Sequence, residues 1–220
     1  MVLVGYWPLD EASGNAVDYS GNNNGVPNAD VSQGVDGILS GNAYGFDGVG
    51  SKVDLSDSVF SGSANRSIAC WYKNGGSTSS VQSVYDQSRD GLSTGSAWEQ
   101  AIRSNGNIRV STEGSGRTWE ASLYDGDYHL IVITLGGYKV ADLKCYVDGK
   151  ELSVVSTSDS TLNTVDETGA IGYRPRGNDQ YLHGKLQHFR IYDHALTKQE
   201  VQYLYQVGNR GLHTSSKRTL

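Results

Sequence analysis

The sequence predicts an all-β fold, an antiparallel β-sandwich of the jelly-roll type carrying one short C-terminal helix. Three observations lead there. Short strand-like runs alternate with clusters of Gly, Asn, Asp and Ser from one end to the other, with no linker and no repeat of fixed period. Three Pro against twenty-eight Gly suit a sheet protein with many tight turns, because glycine supplies the positive φ that hairpins demand. Fourteen Tyr and four Trp match pleated, half-buried surfaces. A chain of 220 residues can bury a self-sufficient core as one domain, placed at residues 1–210, with 211–220 as a flexible tail.

The strands expected in order are Val2–Leu9, Ala43–Phe46, Lys52–Leu55, Ser67–Lys73, Ser83–Tyr85, Trp98–Arg103, Ile108–Ser111, Thr118–Ala121, Tyr128–Thr134, Ala141–Val147, Ala170–Tyr173 and Lys185–Tyr192. Hairpin turns are expected at Ser104-Asn105-Gly106-Asn107, Tyr124-Asp125-Gly126-Asp127 and Val147-Asp148-Gly149-Lys150, where Asn-Gly and Asp-Gly pairs favour type I′ geometry. Before the last turn, Leu143, Cys145 and Val147 point one way and Lys144 and Tyr146 the other, so one face should be buried and one solvated. Thr197-Lys198-Gln199-Glu200 forms a capping box for the helix. Val201, Leu204 and Tyr205 supply its docking stripe, and Gly208 is its expected stop. Cys70 and Cys145 both lie in strand-like runs, where one disulfide and two buried thiols are both open.

A formal net charge of -6 argues against nucleic acid and against an anionic membrane surface as partners. No apolar run is long enough for membrane insertion. Met1 leads almost at once into the first strand, with no signal peptide visible in the chain. The expected setting is extracellular or on a virion surface, reached as a processed or excised domain or as a particle component released by lysis.

Four segments carry a family resemblance. They are Tyr6-Trp7-Pro8-Leu9-Asp10-Glu11 with Asp18–Gly25; Tyr44–Gly48 with Ser67–Lys73; Asp125–Val132 with Tyr146–Lys150; and Gly184–Leu186 with Arg190–Thr197. In this order they span almost the whole chain, which resembles the concanavalin A-like, laminin-G-type jelly-roll domains of lectins and glucanases. The resemblance implies a structural calcium (Ca2+) between the opening loop and the closing strand. Asp18 would give a carboxylate oxygen, Asn22 side-chain or backbone oxygens, and Gln187 a carbonyl oxygen. A metal-free Asx-turn loop is the alternative reading of the same residues. His129 matches a position where the family has a structural histidine, and is expected to pack.

Catalysis is not expected. Glucanases of this family place acidic residues at alternating positions of one strand, and no strand here has that spacing. Glu99, Glu113 and Glu120 fall in separate strands or turns, and Asp86 with Asp90 falls in a Ser-rich loop. The five His show no metal-ligand spacing. Binding is expected instead at the rim loop Tyr173–Tyr181. There Tyr173 and Tyr181 offer stacking faces, Arg174 and Arg176 guanidinium forks, and Asn178 and Asp179 acceptors. A surface salt-bridged turn is the competing reading. Asp86 and the exposed-looking Trp98 and Trp119 are second choices, with core packing the alternative for each Trp. The expected function is non-catalytic binding of a glycan or glycoconjugate. The alternative is an attachment or structural module for a protein receptor or neighbouring subunits, as a homo-oligomer in a virion or surface assembly. An atypical glycan hydrolase or lyase is third.

Overall fold

The computed structural model describes residues 2–21, 23–38, 41–76 and 80–215, with 209–215 given by their backbone. Among these, the strands in order are β1 (Leu3–Trp7), β2 (Gly25–Pro27), β3 (Ser32–Asp36), β4 (Asn42–Asp47), β5 (Val53–Leu55), β6 (Arg66–Asn74), β7 (Gln82–Gln87) and β8 (Trp98–Ile102). They continue as β9 (Ile108–Thr112), β10 (Ser115–Trp119), β11 (Tyr128–Leu135), β12 (Leu143–Val147), β13 (Lys150–Glu151), β14 (Val154–Ser158), β15 (Ala170–Ile171) and β16 (His183–Tyr192). A 3-10 turn at Val140–Asp142 precedes β12, and helix α1 (Lys198–Ser215) follows β16.

Two antiparallel sheets form the sandwich. One runs β13-β12-β11-β6-β16-β4-β3 and the other β14-β10-β9-β8-β7-β15-β5-β2. The two extremities pair as expected: β1 lies antiparallel to β16, with Leu3 opposite Tyr192 and Trp7 opposite Phe189. One edge of β16 therefore serves two partners in turn, β4 along His183–Leu186 and β1 along Phe189–Tyr192. The hand-over is a bulge at Gln187–Arg190, where His188 adopts φ +52° and its amide donates to the Pro8 carbonyl (2.8 Å).

Alternation decides what fills the space between the sheets. Trp7, Tyr44, Phe46, Ile68, Ile133, Leu186 and Phe189 face Val84, Tyr85, Trp98, Ile102, Ile108 and Val110 in one continuous core. On β9 the pattern is clean: Ile108, Val110 and Thr112 are buried, while Arg109 and Ser111 face outward.

The structure departs from the sequence expectations in several places. The outer face of β12 is solvated only at Lys144; α1 covers the rest, where Tyr146 joins Trp71, Leu130, Val132, Leu196 and Val201 in a second apolar cluster. Gly208 does not stop the helix. A Cβ there would sit 2.2 Å from the Trp71 ring, so this glycine permits close helix-to-sheet approach, and α1 continues to Ser215 through residues assigned to the tail; 216–220 lie outside the described residues. The capping box holds, with the Thr197 amide donating to Glu200 Oε2 (2.8 Å) and the Glu200 amide to Thr197 Oγ1 (3.3 Å). Residues 124–127 form no hairpin, since β10 and β11 on either side belong to different sheets. Cys70 and Cys145 are free and buried, on β6 and β12 with β11 between them. Their strands are thus about 10 Å apart, too far for a disulfide. His129 is more than packing: it bridges two turns, through Nδ1 to Asp148 (2.8 Å) and Nε2 to Asp125 (3.0 Å).

Candidate functional site

The residues of β8 and β9 that alternate away from the core create the site. Glu99 and Ala101 point outward from β8, opposite Ser111 and Arg109 of β9. Beside them Asp86 of β7 stands in register with Glu99. Asp86 therefore belongs to a strand and not to a Ser-rich loop. The segment Tyr173–Tyr181 folds over this face as a tight turn, closed by a backbone bridge between Arg174 and Asp179. The result is a cleft of about 290 Å³ floored by β8 and β9 and walled by Arg174, Arg176 and Gln180.

Its polar groups are interlocked. Arg174 grips Asp179 through Nε and Nη2, both at 2.7 Å. Arg176 pairs with Glu113 from the β9–β10 turn. Gln180, its amide oriented to suit both neighbours, donates to Glu99 Oε1 (2.5 Å) and accepts from Arg174 (2.9–3.2 Å). Arg109 donates to Ser111 Oγ (2.7 Å) and lies along Gly116 of β10, where a Cβ would come 3.0 Å from its guanidinium. Asp86 accepts a hydrogen bond from Ser88 and is fully buried. Burial pushes its carboxyl up to about 8; Glu99 alongside adds to the rise, while Ser88, Arg176 and Arg174 oppose it. Burial also raises Glu99, against the pull of Arg174, Arg176 and Arg109. The pair thus holds at least one proton at neutral pH, and a protonated carboxyl can donate as well as accept.

The remaining sequence-predicted site residues separate. Tyr173 is 6 % exposed and stacks on Tyr181 at 5.1 Å. Both hydroxyls turn to Asn178 Oδ1, at 2.6 and 3.4 Å, so these residues brace the turn. Trp98 and Trp119 are corrected from exposed platforms to core residues, 0 % and 1 % exposed. Both occupy inward positions of their strands, and Arg66 lies 5.4 Å over the Trp98 ring. Arg103, Arg109, Glu99, Glu113 and Gln180 were not singled out as ligand-binding residues. For Glu99 and Arg109 the one sequence signal is polar alternation on strands whose other face is apolar.

Of the residues that the resemblance assigns to calcium, Asp18 and Gln187 are both held by backbone amide donors. Asp18 Oδ1 accepts from the Tyr6 amide (3.0 Å), the Ser20 amide (2.9 Å) and Ser20 Oγ (2.7 Å), and Oδ2 accepts from the Asn23 amide (3.3 Å). Amide donors already surround this buried carboxylate, as in an Asx turn. Gln187 is buried elsewhere, with Oε1 accepting the Ile38 amide (2.7 Å). Among the described residues no three His, Cys, Asp or Glu side chains gather in one place. Asn22 lies outside the described residues.

A larger hollow of about 600 Å³ lies between β10, β12 and the start of α1. Its exposed Lys144 and Glu151 pair with each other at 3.4 Å. No buried titratable cluster lines it.

Solved structures share this fold. Domain 4 of AbnA, a GH43 extracellular arabinanase from Geobacillus stearothermophilus, in complex with arabinotriose, is 18 % identical with a TM-score of 0.70, covering 93 % of this chain and 98 % of that one. The botulinum neurotoxin serotype D binding domain is 18 % identical with a TM-score of 0.65, covering 94 % of this chain and 51 % of that one. The binding domain of Paraclostridial Mosquitocidal Protein 1 is 16 % identical with a TM-score of 0.68, covering 93 % and 52 %. The chain thus spans about half the length of the toxin domains it matches. No curated protein matches it. A family model described as the concanavalin A-like lectin/glucanases superfamily matches residues 47–202, most of the sandwich, and the chain belongs to that family.

Proposed function

We propose that this chain is a carbohydrate-binding module that holds a glycan in the cleft between β8, β9 and the 173–181 turn without cleaving it. One observation carries the reading: hydrogen-bonding side chains from two strands and an overlying turn converge on an open cleft, on the sheet face that the core does not use. Guanidinium, carboxyl and amide groups at fixed positions suit the many hydroxyls of a sugar. The likeness to an arabinanase domain in complex with arabinotriose, and to toxin binding domains, supports a binding role outside the cell.

The neighbouring carboxyls of Asp86 and Glu99 raise hydrolysis as a second reading, since glycosidases work with two carboxyl groups. Their placement argues against it. Catalytic carboxyls flank the scissile bond, whereas Asp86 has no exposed surface and Glu99 is held by Gln180. Glycan-array binding followed by calorimetry tests the proposal. Micromolar to millimolar binding that Glu99→Gln or Arg109→Gln weakens at least tenfold is expected, with no release of reducing ends. Sustained release of reducing ends that vanishes in Glu99→Gln would overturn the non-catalytic reading, and no glycan binding at all would overturn the module itself.

A further inference from the structure

The cleft's charges are unevenly matched. Arg174 is committed to Asp179 through both faces of its fork, and Arg176 to Glu113. Arg103 and Arg109 also line the cleft, and among the described residues neither forms an ion pair. Glu99, on which Arg109 acts only through space, is engaged by Gln180 and only 3 % exposed. Asp86 stands beside it on β7, fully buried, with burial raising its carboxyl. The open surface thus presents two guanidiniums outside any ion pair among the described residues, within a chain whose net charge is -6. A locally cationic recess on an acidic protein focuses potential on an incoming anion, and the planar guanidinium fork matches a carboxylate in bidentate geometry.

Resting on the carbohydrate-binding reading above, we propose that the ligand is an acidic glycan, a sugar bearing a carboxylate that Arg103 and Arg109 receive. Neutral hydroxyls of the same sugar meet Ser111, Gln180 and Arg176. The acid group then completes the ion pairing that the protein leaves open on the cleft floor. Mixed neutral and acidic oligosaccharides would be sorted by this one contact.

The test is an array in which oligogalacturonate, oligoglucuronate and sialyllactose are each printed beside a carboxyl-reduced or desialylated counterpart, with affinities then measured by calorimetry. At least tenfold tighter binding of one acidic member over its neutral partner is expected, diminishing as salt is raised from 20 to 500 mM. The Arg103→Gln and Arg109→Gln variants, checked for native melting, should each shrink that ratio. Arg103→Lys and Arg109→Lys, which retain charge without the fork, should keep part of it. Equal affinity for acidic and neutral partners would overturn the acidic assignment while leaving the carbohydrate-binding module standing. An array without any bound sugar would overturn both.

Discussion

Asp86 and His129 both lose stabilisation as pH rises, for opposite physical reasons. Asp86 has an ordinary value of 3.8 and is held at about 8 in the fold by burial, so the folded state binds its proton more tightly than the unfolded chain. Its contribution is complete below about pH 4 and is lost as pH rises through about 8. Asp86→Asn keeps the shape and removes the buried charge. Chemical denaturation should find it more stable than the parent by roughly 1–3 kcal/mol at pH 8.5, with little difference at pH 4. His129 moves the same way for the opposite reason. Asp148, with Asp125, holds it protonated, raising it from 6.5 to about 9 against the effect of burial. Its stabilisation is present below pH 6.5 and disappears as pH climbs through 9. His129→Gln should therefore lose roughly 1–2 kcal/mol at pH 6, a gap that closes by pH 10 in the same titration.

At the scale of elements, the helix illustrates how packing overrides local propensity. Glycine at position 208 reads as a helix stop, yet the Trp71 ring occupies the space a side chain would need. Gly208→Ala should cost roughly 1–3 kcal/mol and alter the Trp71 fluorescence, even though alanine favours helix in isolation. An unchanged melting curve would show the helix free to move off the sheet. The strands that were legible were those with one apolar face, such as β9 with Ile108 and Val110. Those that were not are edges: β3 (Ser32–Asp36) has no fully buried residue, and every residue of β14 is exposed. Such strands exist by hydrogen bonding to a neighbour, which leaves no apolar period to read. The site divides likewise. The turn bearing Arg174 and Arg176 stood out by composition, whereas Arg109 and Glu99 matter because register brings them beneath it. Trp98 and Trp119 misled because aromatic residues mark both sugar platforms and strand cores, and only the direction of each strand decides between them.

For the whole molecule, the closing device is polar and apolar contact between the ends. Tyr6 hydroxyl meets His188 Nδ1 at 2.7 Å, and Arg190 lies 4.8 Å over the Tyr6 ring. Asp18 ties the opening loop to the Tyr6 amide by a hydrogen bond of the charge-assisted kind. With its oxygens so engaged, dialysis against EDTA should move the melting temperature by less than about 1 °C in differential scanning calorimetry, because a ligand that binds only the folded state is the sole route by which chelation could lower it. A drop of several degrees, restored by added calcium, would place an ion among donors that include Asn22.

The pairing of β1 with β16 also sets an order of events during synthesis. Trp7 and Phe189 become neighbours across a separation of more than 180 residues, so β1 leaves the ribosome long before its mate. Until residue 192 emerges, an aromatic segment bound for the interior stays in water, and the sandwich shuts only once β16 has followed.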